Sequence, residues 1–157
     1  TATQMLESMI KSPVTKTLKT VDKNITSFQS SALNYIFVPI SSDAVINPDL
    51  NGEMNKKWTN LDHPLKVWKA YPRNFKPGTI KLHSVQSNAV IVFAYCLNDD
   101  NTVDDEAMKN CIKEIAHTIK YNEGCLDFSR KLEMIENLED FIKDNFLAKN
   151  ISCYLFN

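Results

Sequence analysis

Ala89-Val90-Ile91-Val92-Phe93-Ala94 is the most apolar stretch of the chain, and it decides the class of fold. The run is far shorter than the roughly 20 residues that span a bilayer. It is also too apolar to face water on either side of a sheet. A strand buried on both faces is typical of a mostly parallel sheet covered by helices. Tyr35-Ile36-Phe37-Val38 is a second continuous apolar run and predicts another buried strand.

Strand and helix patterns alternate along the rest of the chain. Further strands are predicted at four segments: residues 17–21, 79–82, 126–128 and 151–156. Apolar residues at helical spacing predict two short helices within residues 52–71, the second capped by Asp62, and later helices around residues 108–119 and at 133–145. This order predicts an α/β fold of three layers, in which a mixed, mostly parallel central sheet carries helices on both faces.

Length and charge limit the organisation and the partners of the chain. Its 157 residues fit a single domain, residues 1–157, in which residues 1–16 form a docking helix and lead-in. Lys and Arg number 18 against 19 Asp and Glu, so the basic excess of a protein that binds duplex DNA is absent. No membrane partner is expected, because the longest apolar run is too short to span a bilayer.

The four cysteines are predicted to be reduced core thiols, which favours a cytoplasmic location. They are Cys96, Cys111, Cys125 and Cys153; they lie in apolar contexts and form no CxxC pair. The three histidines are scattered, so neither their spacing nor that of the cysteines predicts a metal site, and no cofactor is expected. Asp99, Asp100, Asp104 and Asp105 are better explained as a helix start than as a cation site. Trp58 and Trp68 are predicted to pack in the core.

Several short motifs occur in an order that resembles the macro domain family. They begin with Val21-Asp22-Lys23-Asn24-Ile25-Thr26 and the strand at residues 35–43. They continue with the turn and strand at 76–82, and with Ile91-Val92-Phe93-Ala94-Tyr95 before the helix start at 103–108. The nearest resemblance is to the small branch of the family that includes the phage and yeast ADP-ribose-1″-phosphate phosphatases. The resemblance implies the macro-domain fold and a ligand related to ADP-ribose.

The chain departs from the family where phosphates are bound. Macro domains hold a diphosphate with two glycine-rich loops, whose backbone N–H groups approach the phosphates. This chain has three glycines in total. In the first loop (residues 41–52) only Gly52 remains, and the second loop (residues 128–132) reads Phe-Ser-Arg-Lys-Leu. The sequence therefore resembles a degenerate member of the family.

The predicted ligand site lies between the two loops, in a gap that we call the crevice. Its residues are Asn24, Ser41, Ser42, Asp43, Asn51, Gly52, Ser129, Arg130 and Lys131. Segments that follow parallel strands face the ligand crevice of an open α/β sheet. Arg130 is the favoured phosphate contact, because a guanidinium can donate two hydrogen bonds. By the resemblance, Asn24 corresponds to the family's adenine-binding Asp.

Each of these segments also has an explanation without a ligand. Ser41-Ser42-Asp43 is an ordinary cap and turn sequence, and Arg130 and Lys131 suit the solvated start of a helix.

Three functions from different classes remain open on the sequence alone. The first is a degenerate macro-like domain that binds a nucleotide or an ADP-ribose-like ligand without efficient turnover, and it is favoured by the loss of glycines. The second is a divergent ADP-ribose-1″-phosphate phosphatase or ADP-ribosyl hydrolase. The third is a viral module that binds a host protein in the host cytoplasm, which the composition, rich in Lys, Asn and Ile, favours. The chain is more consistent with a binding protein than with an enzyme.

Overall fold

The computed structural model describes residues 16–27 and 33–157, which form a mixed six-stranded sheet with helices packed on it. The strands are β1 (Leu18–Val21), β2 (Asn34–Ile40), β3 (Ile80–Gln86), β4 (Ala89–Tyr95), β5 (Cys125–Ser129) and β6 (Cys153–Phe156). Their order across the sheet is β1-β6-β5-β2-β4-β3. Only β3 and β4 pair antiparallel, and the other neighbours are parallel. The docking helix predicted within residues 1–16 lies outside the described residues, except for Lys16.

The described segments contain four α-helices: α1 (Pro48–Asn55), α2 (Asp62–Lys69), α3 (Asp105–Asn122) and α4 (Leu138–Asn145). Short 3₁₀ helices occur at Ile25–Ser27 and Leu147–Lys149. The longest, α3, begins where the acidic run predicted a helix start: Asp104 is its N-cap, and its carboxylate accepts a hydrogen bond from the N–H of Ala107 at 3.1 Å. It ends at Glu123, whose φ of 54° is left-handed.

The core lies on both faces of the sheet. All seven residues of β2 and all five of β5 are buried, and in β4 only Tyr95 is partly exposed. Successive side chains of a strand point to opposite faces, so both faces of these strands are covered. β4 lies between β2 and β3, which confirms that residues 89–94 form an interior strand.

The tryptophans and cysteines are core residues, as predicted. Trp58 and Trp68 are 7% and 5% exposed. The four cysteines are buried and free, and burial raises the pKa of Cys111 and of Cys153 to about 12.

The start of α4 and the N-cap of α2 differ from the prediction. Residues 133–137 form turns rather than the first part of a helix, and α4 starts at Leu138. The side chains of Leu132 and Ile135 are both buried, with the N–H of Ile135 bonded to the carbonyl of Leu132 at 3.1 Å, and Asn137 has a left-handed φ of 50°. Asp62 does not cap α2: Leu61 occupies the N-cap position and Asp62 lies in the first turn.

Candidate functional site

The two predicted loops meet at the carboxyl edge of the sheet. Strand β2 pairs parallel with β5, with Ile36 opposite Asp127, so the segments that follow these strands leave the sheet side by side. Asn24 follows β1, which β6 separates from β5. Asn24 is exposed, and it therefore lies at the same edge but further from the other predicted residues.

The first loop begins with a turn closed by its own side chains. The hydroxyl of Ser41 donates to the carboxylate of Asp43 at 2.7 Å, and the N–H of Val45 donates to the same oxygen at 3.2 Å. Ser42 donates to the carboxylate of Asp99, which follows β4. These are the bonds expected if Ser41-Ser42-Asp43 is an ordinary cap and turn sequence. The ligand-binding role of the three residues stays a prediction.

Asn51 and Gly52 do not lie in a loop, because α1 begins at Pro48 and contains both. Asn47 is the N-cap, and its side-chain oxygen accepts from the N–H of Asp49 at 3.0 Å. Gly52 is exposed, and a Cβ at this position would meet nothing within 4 Å. Because Gly52 lies within α1, its backbone belongs to a helix and not to a loop that could wrap around a phosphate.

The backbone N–H groups of the second loop are bonded within the protein. Arg130 N–H donates to the carbonyl of Phe156 at 2.8 Å, Lys131 N–H to the hydroxyl of Ser129 at 3.2 Å, and Leu132 N–H to the carbonyl of Ser129 at 3.1 Å. An anion-binding nest needs successive N–H groups that point at the anion. The second loop does not form one.

Both cations of the second loop are bonded to other side chains. Arg130 donates to the Asn157 side chain at 3.0 Å and forms an exposed ion pair with Glu139 at 3.3 Å. Lys131 Nζ lies 2.9 Å from Glu53 Oε1 on α1, so this ion pair crosses the crevice. The Glu53 side chain is 5% exposed and that of Lys131 39%.

A cavity of about 350 Å³ lies between the first loop and the segment that follows the second loop, and neither Glu53 nor Lys131 is part of its lining. One wall is the first loop from Asp43 to Pro48, and the opposite wall is Glu133 and Met134, just after the second loop. Pro39 of β2 and two residues that follow β4, Leu97 and Asn101, complete the lining. The cavity has carboxylate, amide and apolar walls, which suit a hydroxyl-rich ligand.

The predicted residues do not all share one cavity. Of the nine, Asp43 lines the cavity above, and Arg130 lines a separate one of about 300 Å³. A larger groove of about 740 Å³ between α3 and α4 contains none of the nine. Sequence reasoning missed Leu97 and Asn101, although both follow a buried strand, the signal that singled out Ser41.

Negative charge dominates this part of the edge. Burial, and then the nearby charge of Asp99, raises the pKa of Tyr95 at the end of β4. Asp104 and Asp43 act in the same direction, and a hydrogen bond with Ser42 opposes them.

In the parts of the chain that are described, no group of three or more metal-binding side chains comes together. No helix among the described residues is long and apolar enough to cross a bilayer.

No protein-family model and no curated protein matches the sequence. Solved structures do match the fold. A macrodomain protein from Streptomyces coelicolor has a TM-score of 0.79 at 12% identity, covering 90% of this chain and 99% of its own. A protein from Bacteroides thetaiotaomicron has a TM-score of 0.78 at 14% identity, covering 89% of this chain and 99% of its own. The macrodomain of Thermus aquaticus DarG has a TM-score of 0.67 at 9% identity, covering 90% and 99%.

The two macrodomain structures confirm the predicted macro-domain fold. At such low identity they concern the fold alone. The nearer resemblance to the phage and yeast phosphatase branch stays a prediction.

Proposed function

We propose that this chain is a binding domain for an ADP-ribose-like nucleotide that it does not turn over. The observation that carries the proposal is the cavity of about 350 Å³ between the first loop and Glu133–Met134, at the carboxyl edge of a macro-type sheet. Ligands of open α/β sheets bind at this edge. A ribose hydroxyl donates well to carboxylates and amide oxygens, which Asp43, Asn47, Asn101 and Glu133 provide.

The ligand phosphate is assigned to Lys131 rather than to Arg130. Arg130 is held by Asn157 and Glu139 on the far side of the second loop. Lys131 points across the crevice toward α1 and is only two residues from the cavity wall at Glu133. A phosphate at Lys131 therefore leaves the attached ribose within reach of the cavity.

Binding without turnover is supported by how the backbone donors are used. Hydrolysis at a phosphate or at the distal ribose needs preorganised donors aimed at the charge that develops in the transition state. The N–H groups of residues 130–132 are already bonded to protein oxygens. The turn at residues 41–45 is closed in the same way. A ligand can bind such a site through side chains, whereas the transition state gains little extra stabilisation.

The test is calorimetric titration of ADP-ribose into the parent chain and into Val45→Trp. Val45 lines the cavity and is 57% exposed, so the indole fills the cavity mouth without disturbing the core. Val67→Trp on α2 is the matched control, because Val67 is 42% exposed and is not part of the cavity lining. We expect ADP-ribose to bind the parent and Val67→Trp equally and Val45→Trp at least about tenfold more weakly, a loss of 1.4 kcal/mol. No binding to the parent, or equal binding to all three proteins, contradicts the proposal.

A further inference from the structure

Glu53 is a carboxylate from one side of the crevice that is held against a cation from the other. It belongs to α1, which follows the first loop, whereas Lys131 belongs to the second loop. Glu53 Oε1 lies 2.9 Å from Lys131 Nζ, and 78 positions separate the two residues in the chain. The ion pair thus joins the two segments between which a macro-type ligand would lie.

Stability alone does not account for Glu53. Its side chain is 5% exposed, and Oε2 is buried without a hydrogen-bond partner among residues 16–27 and 33–157. A buried carboxylate oxygen without a donor carries a desolvation cost that its fold does not recover. Replacement of a buried ion pair by apolar residues of similar size is often neutral or stabilising. The charge of Glu53 is therefore explained better by what it does to Lys131.

Lys131 is the accessible half of the pair. Its side chain is 39% exposed, so an anion from solvent can reach the ammonium group while Glu53 approaches from the protein. Carboxylate and phosphate oxygens make the same kind of charge-assisted bond to an ammonium group. Since the N–H groups of the second loop are bonded elsewhere, the ammonium of Lys131 is the donor that the two anions share.

We infer that Glu53 is a specificity-determining residue that competes with the ligand phosphate for Lys131, an inference that rests on the proposed function for the identity of the ligand. Every phosphorylated ligand must displace the carboxylate or bind beside its negative charge. Two like charges a few ångströms apart in a partly buried site repel strongly. Glu53 therefore lowers the affinity for phosphate and diphosphate groups, and it leaves the contacts of the ribose unchanged.

The experiment is titration of inorganic pyrophosphate into the parent and into Glu53→Gln at low ionic strength. We expect Glu53→Gln to bind pyrophosphate at least about tenfold more tightly, equivalent to 1.4 kcal/mol. Glu53→Met is measured as well, since an apolar side chain of similar length suits the buried position if glutamine impairs folding. The double variant Glu53→Gln/Lys131→Gln should lose the gain, because the cation that binds the anion is then absent.

Glu139→Gln is the matched control. It removes one carboxylate from the neighbouring cation Arg130, in an ion pair whose side chains are 41% and 49% exposed. Solvent screens an exposed pair, so the affinity for pyrophosphate should change less than about twofold. An equal gain in Glu139→Gln and Glu53→Gln would mean that net charge alone is responsible, and it would overturn the inference.

The outcomes separate this inference from the proposed function. If the parent binds ADP-ribose but neither variant of Glu53 binds pyrophosphate more tightly, the inference is wrong and the proposed function stands. If the variants gain pyrophosphate binding through Lys131 but neither they nor the parent bind ADP-ribose, the inference stands and the nucleotide is the wrong ligand.

Discussion

Asp127 is a carboxylate in the middle of the buried strand β5. It is fully buried, and its Oδ2 has no hydrogen-bond partner in the described part of the chain. Burial raises the pKa of Asp127 well above its usual value, and the thiol of Cys125, 3.9 Å from Oδ1, opposes this only in part. Desolvation therefore favours the protonated acid in the folded chain.

We predict that Asp127→Asn stabilises the protein at pH 7. The pKa of Asp127 is higher in the folded than in the unfolded chain, so the folded state binds the proton more tightly. The contribution of the acid to stability is then complete below the unfolded pKa of about 3.9 and falls as the pH rises toward the folded pKa. Asparagine does not titrate. Urea unfolding should show a gain on the order of 1 kcal/mol at pH 7 that disappears near pH 4.

Asp100 gives a control of opposite sign. Hydrogen bonds from the side chain and the backbone of Thr102 lower the pKa of this exposed carboxyl. Its contribution is present above the unfolded pKa and is lost as the pH falls through the folded pKa. Asp100→Asn should therefore be slightly less stable than the parent at pH 7. If Asp127→Asn behaved in the same way, Asp127 would be ionised in the folded protein.

Ala44 occupies a backbone conformation that suits glycine. Its φ is +55°, and its N–H closes the turn onto the carbonyl of Ser41 at 3.1 Å. An L-residue with a Cβ pays roughly 1–2 kcal/mol for the left-handed region, whereas glycine adopts it freely. The gain is offset in part by about 0.4–1 kcal/mol, because glycine makes the unfolded chain more flexible.

We predict that Ala44→Gly is as stable as the parent or up to about 1 kcal/mol more stable. Ala116→Gly is the control, since Ala116 is equally buried but lies within α3, where glycine costs about 1 kcal/mol. Denaturant midpoints of the two variants should move in opposite directions or by clearly different amounts. Equal losses would mean that residue 44 is not left-handed in solution.

β4 joins the antiparallel edge strand β3 to the parallel part of the sheet. It pairs parallel with β2 along its whole length and antiparallel with β3. Ile91 lies opposite Ile36 and His83 and is fully buried. Its side chain is therefore packed against neighbouring strands and the layer above them.

We predict that Ile91→Ala destabilises the protein by about 2–5 kcal/mol, because it removes buried methyl groups and leaves a cavity. Leu82→Ala on the edge strand β3 is the control: Leu82 is 42% exposed, so its truncation should cost about 1 kcal/mol. Chemical denaturation of both variants gives the comparison. A loss below about 1 kcal/mol for Ile91→Ala is incompatible with an interior position.

The whole molecule combines a macro-type sheet with a second loop whose backbone N–H groups are bonded within the protein. Of the three glycines, Gly52 lies in α1, Gly78 in the turn before β3, and Gly124 just before β5. At Gly124 a Cβ would come within 2.4 Å of the Tyr35 ring, so that glycine serves packing. Gly78 reaches the carboxyl edge beside Tyr95, but it lies in the turn before β3 and not in either of the two predicted loops.

We predict that the chain does not hydrolyse ADP-ribose-1″-phosphate or remove ADP-ribose from modified protein at an ordinary enzyme rate. Loss of even one transition-state donor lowers a rate by about 10²–10³, and here the N–H groups of residues 130–132 are all bonded within the protein. Phosphate release and loss of the label from a modified protein are the two measurements, with an active phosphatase as the positive control. Turnover above about 1 per second would contradict the prediction.

The fold was largely predictable from the sequence because its signals are local. Apolar runs long enough for one strand identified β2 and β4, and helical spacing with Asp104 in front identified α3. These patterns depend on which residues of a single element are buried, and the spacing of apolar residues along the sequence indicates this directly. Where contacts with other segments determine the backbone conformation, prediction from the spacing of apolar residues was wrong. Met134 and Leu138 lie at helical spacing, yet residues 133–137 form turns and α4 starts at Leu138.

The candidate site, like the fold, was predictable from the sequence only in part. The sequence alone predicted that Ser41–Asp43 and Ser129–Lys131 lie at the carboxyl ends of strands, where ligands of open α/β sheets bind. The structure shows that these strands, β2 and β5, are neighbours. Only the tertiary structure decided which charged and polar side chains bond to each other. Glu53 and Lys131 are 78 positions apart, Arg130 bonds to Asn157 and Glu139, and Ser42 bonds to Asp99. A hydrogen bond depends on the distance between two atoms, and for residues far apart in the chain that distance is fixed by the packing of the whole molecule.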